Sequence, residues 1–299
     1  MPMNSALSDL QVFLASDFSQ AEVRILAEAS GDNLLISQFN SGADIHSTIG
    51  ATLTGWTIER IKTDKSTRKL CKNMIFGIIY GLGRENLFPY VVAKIRAQDG
   101  ENADLTGITK TKLVKLYDKF FKTYDGVRVF MEQMTSDAEK RGYVETMFGF
   151  RRWVFKNDAS RRTFWANQAK NTPIQGAAHT LLLIALAMIN MKPRTYNLLQ
   201  TPLMEVHDAL YFRVRLGDLP GAFLQCQQLL QQGVFEYALR YFKLKFRVPF
   251  LSEASAGFCM GSMCDYDGGA LEEFLEKWRA KQKEVESKSW ADLVPKFES

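Results

Sequence analysis

A row of side chains that could bind a nucleotide recurs every four residues in the first third of the chain. The row consists of Arg68, Lys72, Phe76 and Tyr80. Side chains four apart lie on one stripe of an α-helix, so two cations precede two aromatic rings on the same face. Such a face suits a molecule with phosphates at one end and a base at the other, as in nucleoside triphosphates and nucleic acids. The spacing alone somewhat favours the simpler interpretation of an amphipathic helix with solvated charges.

The helix that must carry this row is well marked at both ends. Thr63 or Asp64 can cap its start, and Gly81 can end it. Apolar residues between the members of the row predict a buried opposite side, and these are Leu70, Met74, Ile75, Ile78 and Ile79. The pattern therefore predicts a single helix with the row on its accessible face.

Two carboxylates follow short apolar segments of strand length. Asp17 comes directly after residues 10–16, and a helix over 20–30 follows at once, which places Asp17 at the rim of a sheet. Asp208 lies between the two strand-like halves of residues 202–214, which predict a β-hairpin with a carboxylate at its tip. Either aspartate could also be an ordinary turn residue. Glu22 lies three residues after Ser19, and this spacing favours a capping box, a purely structural role.

Basic and aromatic side chains are interleaved over residues 140–170. Residues 141–152 predict a strand, a turn and a basic cluster that contains Arg151 and Arg152. Phosphate contact combined with base stacking would use these residue types, although a solvated surface explains the composition equally well.

The apolar segment 173–191 is long enough to span a bilayer. It contains Gln175, His179 and Asn190, and each polar group in lipid costs several kcal/mol, so a buried helix is predicted instead. Thr172 can cap this helix and Pro173 can take its first position. Elsewhere the pattern predicts a surface loop over 97–109, helices over 111–138 and 219–242, and a strand over 245–250.

Composition restricts the protein class without deciding it. The chain has 299 residues, 46% of them hydrophobic, and a formal net charge of +5, which permits a polyanionic partner but does not require one. The four cysteines form no C-x-x-C pair, so we expect no zinc site and a reducing compartment. The N-terminus lacks the basic start and apolar run of a signal peptide, so we expect a cytoplasmic protein with no membrane partner.

Five motifs, in the same order, resemble those of family A DNA polymerases, the DNA polymerase I family. They are DFSQAEVR at 17–24, the row Arg-x3-Lys-x3-Phe-x3-Tyr-Gly at 68–81, RGYVETMFGFRR at 141–152, NTPIQG at 171–176 and VHD at 206–208. The resemblance runs over residues 12–261. The chain departs from the usual motifs at Phe18, Ala21, Asn167, Ala209 and Met260.

The resemblance implies a role for each matching residue. It implies that Asp17 and Asp208 hold two Mg²⁺ ions, with Mn²⁺ able to replace them, and that Lys72 joins these aspartates in the chemistry. Glu22 would close off the space that a ribose 2′-hydroxyl needs. The residues implied to bind the dNTP are Arg68, Lys72, Phe76, Tyr80, Glu22 and His46. Those implied to bind DNA are Arg24, Tyr80, Asn171, Gln175, His207, Arg151 and Arg152.

The resemblance also implies a mixed α+β fold, the right-hand polymerase palm with an antiparallel sheet and helical fingers. It assigns 1–50 to the first part of the palm, 51–145 to the fingers and 146–262 to the second part of the palm. The charged residues 263–299 carry a narrow apolar stripe, which predicts an added helix or a partner-docking tail. The family's thumb, the first part of its palm and its exonuclease have no counterpart in the sequence. We therefore expect a second polypeptide to supply them, as in a split, phage-type polymerase, although a shortened longer chain is also compatible.

Three functions remain open at this point. The expected one is template-directed DNA synthesis from dNTPs on a primer 3′-hydroxyl. Ala209 and Asn167, which replace a family glutamate and arginine, favour instead a catalytically weak or inactive DNA-binding accessory subunit. The third is a single-subunit RNA polymerase, and Glu22 argues against it because a carboxylate there would clash with a ribonucleotide.

Overall fold

The computed structural model describes residues 5–42, 44–154, 162–206 and 208–286. The chain forms two compact units. The first contains the described parts of 1–19, 179–245 and 250–299, and the second contains those of 20–178 and 246–249. The chain therefore passes between the units at 19/20, 178/179, 245/246 and 249/250. The sequence had placed the limits of palm and fingers at 50 and 145.

Helices make up most of the described chain. In chain order the α-helices are α1 Ser5–Ser8, α2 Ala21–Ser30, α3 Asn33–Asn40, α4 Ile45–Thr54, α5 Ile58–Thr63, α6 Lys65–Ile79, α7 Arg84–Asp99, α8 Lys110–Thr123, α9 Asp125–Arg141, α10 Arg162–Met191, α11 Leu219–Gln228, α12 Val234–Tyr237 and α13 Leu271–Glu286. The π-helical turn Leu229–Gly233 joins α11 to α12, and a second one, Ala238–Phe242, continues α12, so the predicted helix over 219–242 is confirmed. The strands are β1 Gln11–Phe18, β2 Tyr143–Glu145, β3 Arg151–Trp153, β4 Pro202–Val206, β5 Ala209–Arg215, β6 Ser252–Gly257 and β7 Cys264–Asp265.

The first unit contains a five-stranded antiparallel sheet in the order β4-β5-β1-β6-β7. Alternate residues of β1, including Val12, Leu14 and Phe18, are buried with those of β5 on one face, against which α11 packs. The register places Asp17 opposite Ala209 of β5 and opposite Glu253 of β6. Because directly opposed residues share a face of a sheet, these three side chains lie on the face away from α11.

The second unit consists of α2 to α9, the first part of α10 and the β2–β3 hairpin. Helix α6 lies at its centre, where α4, α5 and α7 pack on it. The predicted apolar side of α6 is buried, and Leu70, Met74 and Ile75 are fully enclosed. The predicted mixed α+β class with an antiparallel sheet is confirmed.

Several element boundaries differ from the predictions because tertiary packing decided them. The helix predicted over 111–138 is two helices that meet at Tyr124, which is 0% exposed and donates a hydrogen bond to Gln38 Oε1 at 3.0 Å. The strand predicted over 245–250 is wrong, because that segment is irregular and the strand is β6. The loop predicted from 97 begins only after α7 ends at Asp99.

Pro173 lies inside α10 rather than at its start, so the predicted cap at Thr172 is wrong. An internal proline costs a helix about 3 kcal/mol. Burial of Ala169 before it and of Ile174 and Ala177 after it, all 0% exposed, outweighs that loss. Residues 165–191 of this helix are long and apolar enough to cross a membrane, yet 56% of the most apolar window is buried within the protein, as in a core helix.

The apolar stripe near the C-terminus packs on the chain itself. Phe274 of α13 is 2% exposed, and the Trp278 ring lies edge-on to Phe258 with centroids 4.7 Å apart. Trp278 Nε1 also donates a hydrogen bond to Ser262 Oγ at 3.1 Å. Of the two alternatives for this segment, the structure therefore has the added helix.

Candidate active site

Asp17 and Asp208 come together at one end of the sheet. Asp17 is the penultimate residue of β1, and Asp208 follows β4 at the tip of the predicted hairpin, which the antiparallel pair β4–β5 confirms. Ala209, next to Asp208, is the residue that pairs with Asp17. His207, the other predicted residue of this hairpin, lies outside the described residues.

The Asp17 carboxyl group is partly buried and lies near two other carboxylates, those of Asp208 and Glu253. Burial raises its pKa to about 6, and the charges of Asp208 and Glu253 contribute to this rise. A bound cation would stabilise the ionised carboxylate, because its positive charge would offset the repulsion between Asp17 and the two neighbouring carboxylates. Within the described ranges, no group of three or more His, Cys, Asp or Glu side chains could hold a metal. A pair of carboxylates fits Mg²⁺, which usually takes one or two carboxylates and completes its shell with water and substrate phosphates.

The row on α6 is accessible as predicted. Asp64 Oδ1 accepts a hydrogen bond from Thr67 N at 2.9 Å and caps the helix start, and Gly81 follows its end. Between residues 70 and 80, all side chains are buried except those of Lys72, Phe76 and Tyr80. The predicted helix and its stripe are therefore confirmed, and the stripe can present cations and rings to a ligand.

Arg68, the first member of the row, is held by a carboxylate from α4. Its Nε and Nη2 donate hydrogen bonds to Asp44 Oδ2 at 3.1 and 3.0 Å. Asp44 also caps α4 through Ser47 N at 3.3 Å. Burial opposes ionisation of Asp44, but the hydrogen bonds from Ser47 and Arg68 outweigh it and lower the pKa of Asp44 below its usual value.

His46 lies beside the row but is enclosed. It is 3% exposed, and its ring centroid lies 5.9 Å from that of Phe76. Burial lowers the pKa of His46 to about 4, and the nearby cations of Lys72 and Arg68 lower it further against the opposing charge of Asp44. The imidazole is therefore neutral at pH 7. Its Nδ1 has no hydrogen-bond partner among the described residues.

The structure joins Glu22 and Gln175, which lie 153 positions apart. Gln175 Nε2 donates a hydrogen bond to Glu22 Oε1 at 3.2 Å. The capping box that the local pattern favoured is wrong, because the N-cap of α2 is Gln20 in a left-handed conformation with φ 58°, not Ser19. Asn171, on the same helix as Gln175, donates from Nδ2 to the Ile79 carbonyl at 3.3 Å and so connects α10 to the end of α6.

The basic hairpin β2–β3 is exposed and is partly paired within itself. The Arg151 guanidinium bonds to Glu145 Oε2 at 2.5 Å and lies 4.9 Å from the centroid of the Tyr143 ring. Arg152 Nη1 donates to Thr172 Oγ1 at 3.2 Å. Trp153 is 60% exposed. Cations with an exposed ring leave the surface suited to nucleic acid, and the DNA contacts of both arginines stay predictions.

Arg24 is enclosed by the protein, and its expected DNA contact stays a prediction. It is 5% exposed, its Nη1 donates a hydrogen bond to the Pro249 carbonyl, and its guanidinium stacks 4.7 Å from the centroid of the Phe39 ring. Arg24, in the first turn of α2, therefore has a structural role here, because it connects this helix to residues 246–249.

Comparison with known proteins decides the family. The chain matches the family description "DNA polymerase family A" over residues 5–258. It belongs to DNA polymerase family A. DNA polymerase I of Chloroflexus aurantiacus is 34% identical over 200 residues, which are 66% of this chain and 19% of that protein. Thermostable DNA polymerase I of Thermus aquaticus is 32% identical over 236 residues, 76% of this chain and 25% of that protein. The chain thus spans about a fifth to a quarter of these curated relatives.

A solved structure supports the same fold. The polymerase domain of Pol1 from M. smegmatis, in complex with DNA primer-template and dNTP, aligns with a TM-score of 0.67. The alignment covers 83% of this chain and 39% of that chain at 24% sequence identity. The fold of this family A chain is therefore the polymerase fold that its motifs predicted.

Two residues near the site were missed by the sequence analysis. Glu253 faces Asp17 across the β1–β6 pair. Tyr90 of α7 lies edge-on to Tyr80 with ring centroids 6.1 Å apart, and burial, with smaller contributions from Tyr80 and Glu22, raises its pKa. Glu253 was the only acidic residue in its strand, but its register against β1 cannot be read from the sequence. For Tyr90 the sequence held no signal.

Proposed function

We propose that this chain catalyses template-directed DNA synthesis, in which a primer 3′-hydroxyl attacks the α-phosphorus of a dNTP and pyrophosphate leaves. The observation that carries the proposal is the pair of carboxylates, Asp17 and Asp208, at one end of the sheet in a chain of DNA polymerase family A. The proposed palm is the sheet and its helices, and the proposed fingers are the helices around α6. We expect this reaction in the cytoplasm of a bacterial or phage-infected cell.

Asp17 and Asp208 would hold the two Mg²⁺ ions, or Mn²⁺ in their place. When bound, such ions lower the pKa of the attacking hydroxyl and neutralise charge on the leaving pyrophosphate. Asp17 must be ionised to act as a ligand. With its pKa raised to about 6, it is largely ionised at pH 7 even before a cation stabilises the charged form.

The α6 row supplies the dNTP contacts in this proposal. Arg68 and Lys72 bind the triphosphate and add fixed positive charge where negative charge develops on the leaving group. Phe76 packs on the sugar and base, and Tyr80 lies near the templating base. His46, neutral and packed against the row, can accept or donate one hydrogen bond without adding charge.

Glu22 and Gln175 supply selection for sugar and duplex. The Glu22 carboxylate would occupy the space of a 2′-hydroxyl and so exclude ribonucleotides. Gln175, hydrogen-bonded to Glu22 in this structure, would reach the minor-groove edge of the primer-template, with Asn171 supporting it. Arg151 and Arg152 would contact the DNA backbone. The hydrogen bond gives the sugar-selecting residue and the duplex-reading residue a direct link.

The proposal includes a second polypeptide that carries the thumb, the remaining palm and a 3′–5′ exonuclease. Strand β4 lies at an edge of the sheet, and its Leu203, Met204 and Val206 are 39–43% exposed. Unpaired edges with exposed apolar side chains pair readily with another polypeptide. This edge is therefore where we expect added polypeptide to complete the palm.

Primer extension with Mg²⁺ and four dNTPs tests the function. The chain is assayed alone and with its co-purifying or gene-neighbour partner, beside an Asp208→Ala variant and an Asp218→Ala control that removes a carboxylate outside the site. Extension that survives in the control and is lost in Asp208→Ala supports the proposal. DNA binding without extension under both conditions would favour the accessory-subunit function, to which Ala209 and Asn167 point.

A further inference from the structure

The guanidinium of Arg68 is oriented by α4 and not by its own helix. We propose that Asp44 is a positioning residue for the triphosphate site, which holds Arg68 ready for phosphate before the ligand arrives. The inference rests on the proposed function, because it assigns the orientation of a residue that the dNTP would contact.

One carboxylate oxygen organises this contact. Asp44 Oδ2 accepts from Arg68 Nε and Nη2 at 3.1 and 3.0 Å, and also from the hydroxyl and backbone N–H of Ser47. Ser47 Oγ in turn accepts from Arg68 Nε at 3.3 Å. Asp44 is itself fixed as the N-cap of α4, so its position does not depend on Arg68. The result is an arginine whose Nε edge is anchored at two atoms.

Anchoring one edge leaves the other edge available. Arginine has five N–H donors, and among the described residues its hydrogen bonds to Asp44 and Ser47 use Nε and Nη2. The Arg68 side chain is 40% exposed, whereas that of Asp44 is 22% exposed, so the carboxylate lies on the inner side of the pair. Phosphate binds arginine best through two parallel N–H donors. The Nη1 side can therefore meet a phosphate while the Nε edge stays on Asp44.

A simple charge argument predicts the opposite effect of Asp44. A carboxylate beside the site repels a triphosphate, so its neutralisation should tighten binding. Positioning predicts weaker binding after neutralisation, because an unanchored arginine must lose its rotamer freedom when the ligand binds. The sign of the change therefore separates the two explanations.

The test is calorimetric titration of the full chain with dATP in Mg²⁺, for the parent, Asp44→Asn, Arg68→Ala and the double variant. Asparagine caps helices as well as aspartate does, so α4 keeps its cap while the charge-assisted anchor is lost. Asp64→Asn is the matched control, because Asp64 also caps a helix, α6 itself. Its side chain accepts a hydrogen bond from Thr67 N and not from the Arg68 side chain. Thermal unfolding of each variant reports whether the fold is kept.

We expect Asp44→Asn to raise the dissociation constant for dATP about fivefold, the scale of immobilising one long side chain. In the Arg68→Ala background the same change should have no such effect, and Asp64→Asn should not weaken binding. Tighter binding by Asp44→Asn in both backgrounds would overturn the inference and make Asp44 a simple competitor. If Arg68→Ala weakens binding and Asp44→Asn does not, the positioning role of Asp44 is rejected and the proposed triphosphate site is kept. If Arg68→Ala changes nothing, or the parent does not bind dATP, the proposed triphosphate site fails as well.

Discussion

Gly81 lies where α6 ends, and replacing it with alanine should destabilise the chain more than the same change at Gly55. The two glycines are a matched pair, because both have positive φ, 74° at Gly81 and 78° at Gly55. A Cβ at Gly81 would lie 2.8 Å from Asn167 Cα and 3.0 Å from the Asn167 carbonyl oxygen, whereas at Gly55 it would meet nothing within 4 Å. The difference between the variants therefore measures the approach of α10 alone.

The magnitudes follow from three contributions. A left-handed conformation costs alanine about 1–2 kcal/mol, and the reduced freedom of the unfolded chain returns about 0.4–1 kcal/mol. Gly55→Ala should therefore lose about 1 kcal/mol. At Gly81 the neighbouring atoms belong to the backbone and cannot turn away, so overpacking adds about 1–3 kcal/mol. We expect Gly81→Ala to lose about 2–4 kcal/mol.

Urea unfolding of both variants and the parent measures these losses as shifts of the midpoint at a constant slope. Gly81→Ala should have the lower midpoint, since Asn167 must move before the added methyl group fits. Equal losses in the two variants would refute the close approach of α10 to the end of α6. They would also remove the structural basis for the contact between Asn171 and the Ile79 carbonyl.

The other predictions concern sugar selection by Glu22, the ring of Phe76 and the carboxyl group of Asp17. Glu22→Ala should raise ribonucleotide incorporation about tenfold or more. Gln175→Ala should raise it less, because this change only removes the hydrogen bond that Gln175 donates to Glu22. Unchanged ratios of dNTP to rNTP incorporation in single-nucleotide extension would exclude a role of either residue in sugar selection. Phe76→Tyr should raise dideoxynucleotide incorporation, because the added phenolic hydroxyl supplies the polar group that the dideoxy sugar lacks. An unchanged ratio of ddNTP to dNTP incorporation would contradict this prediction. Asp17 has a pKa of about 6 in the folded chain against an ordinary value of 3.8. The folded chain therefore binds this proton more tightly than the unfolded chain does, so the free energy of unfolding falls as the pH rises from about 4 to about 6. Asp17→Asn should remove that fall, which is about 1–2 kcal/mol after solvent screening of this partly exposed group. Parallel curves of unfolding free energy against pH for the variant and the parent, measured in EDTA, would refute this prediction.

The sequence by itself determined the elements that carry the site. A four-residue recurrence, an aspartate cap and a terminal glycine defined α6 and its accessible row, because helix periodicity and capping act within a few residues. Alternating side chains around a turn defined the hairpin of Asp208 in the same way. The family motifs then predicted the α+β polymerase fold, which the structure and the comparisons bear out.

Only the tertiary structure decided which of these residues meet. Arg24 matched a motif position, but packing encloses it against Phe39. Pro173 looked like a helix start, but burial on both sides carries α10 through it.

The contacts around the site are equally non-local. Glu253 faces Asp17 through strand register, and Asp44 reaches Arg68 because α4 packs on α6. Local patterns report the period of a segment and its ends. They carry no information on which surfaces pack together, because that choice depends on the burial and hydrogen bonding of the whole chain.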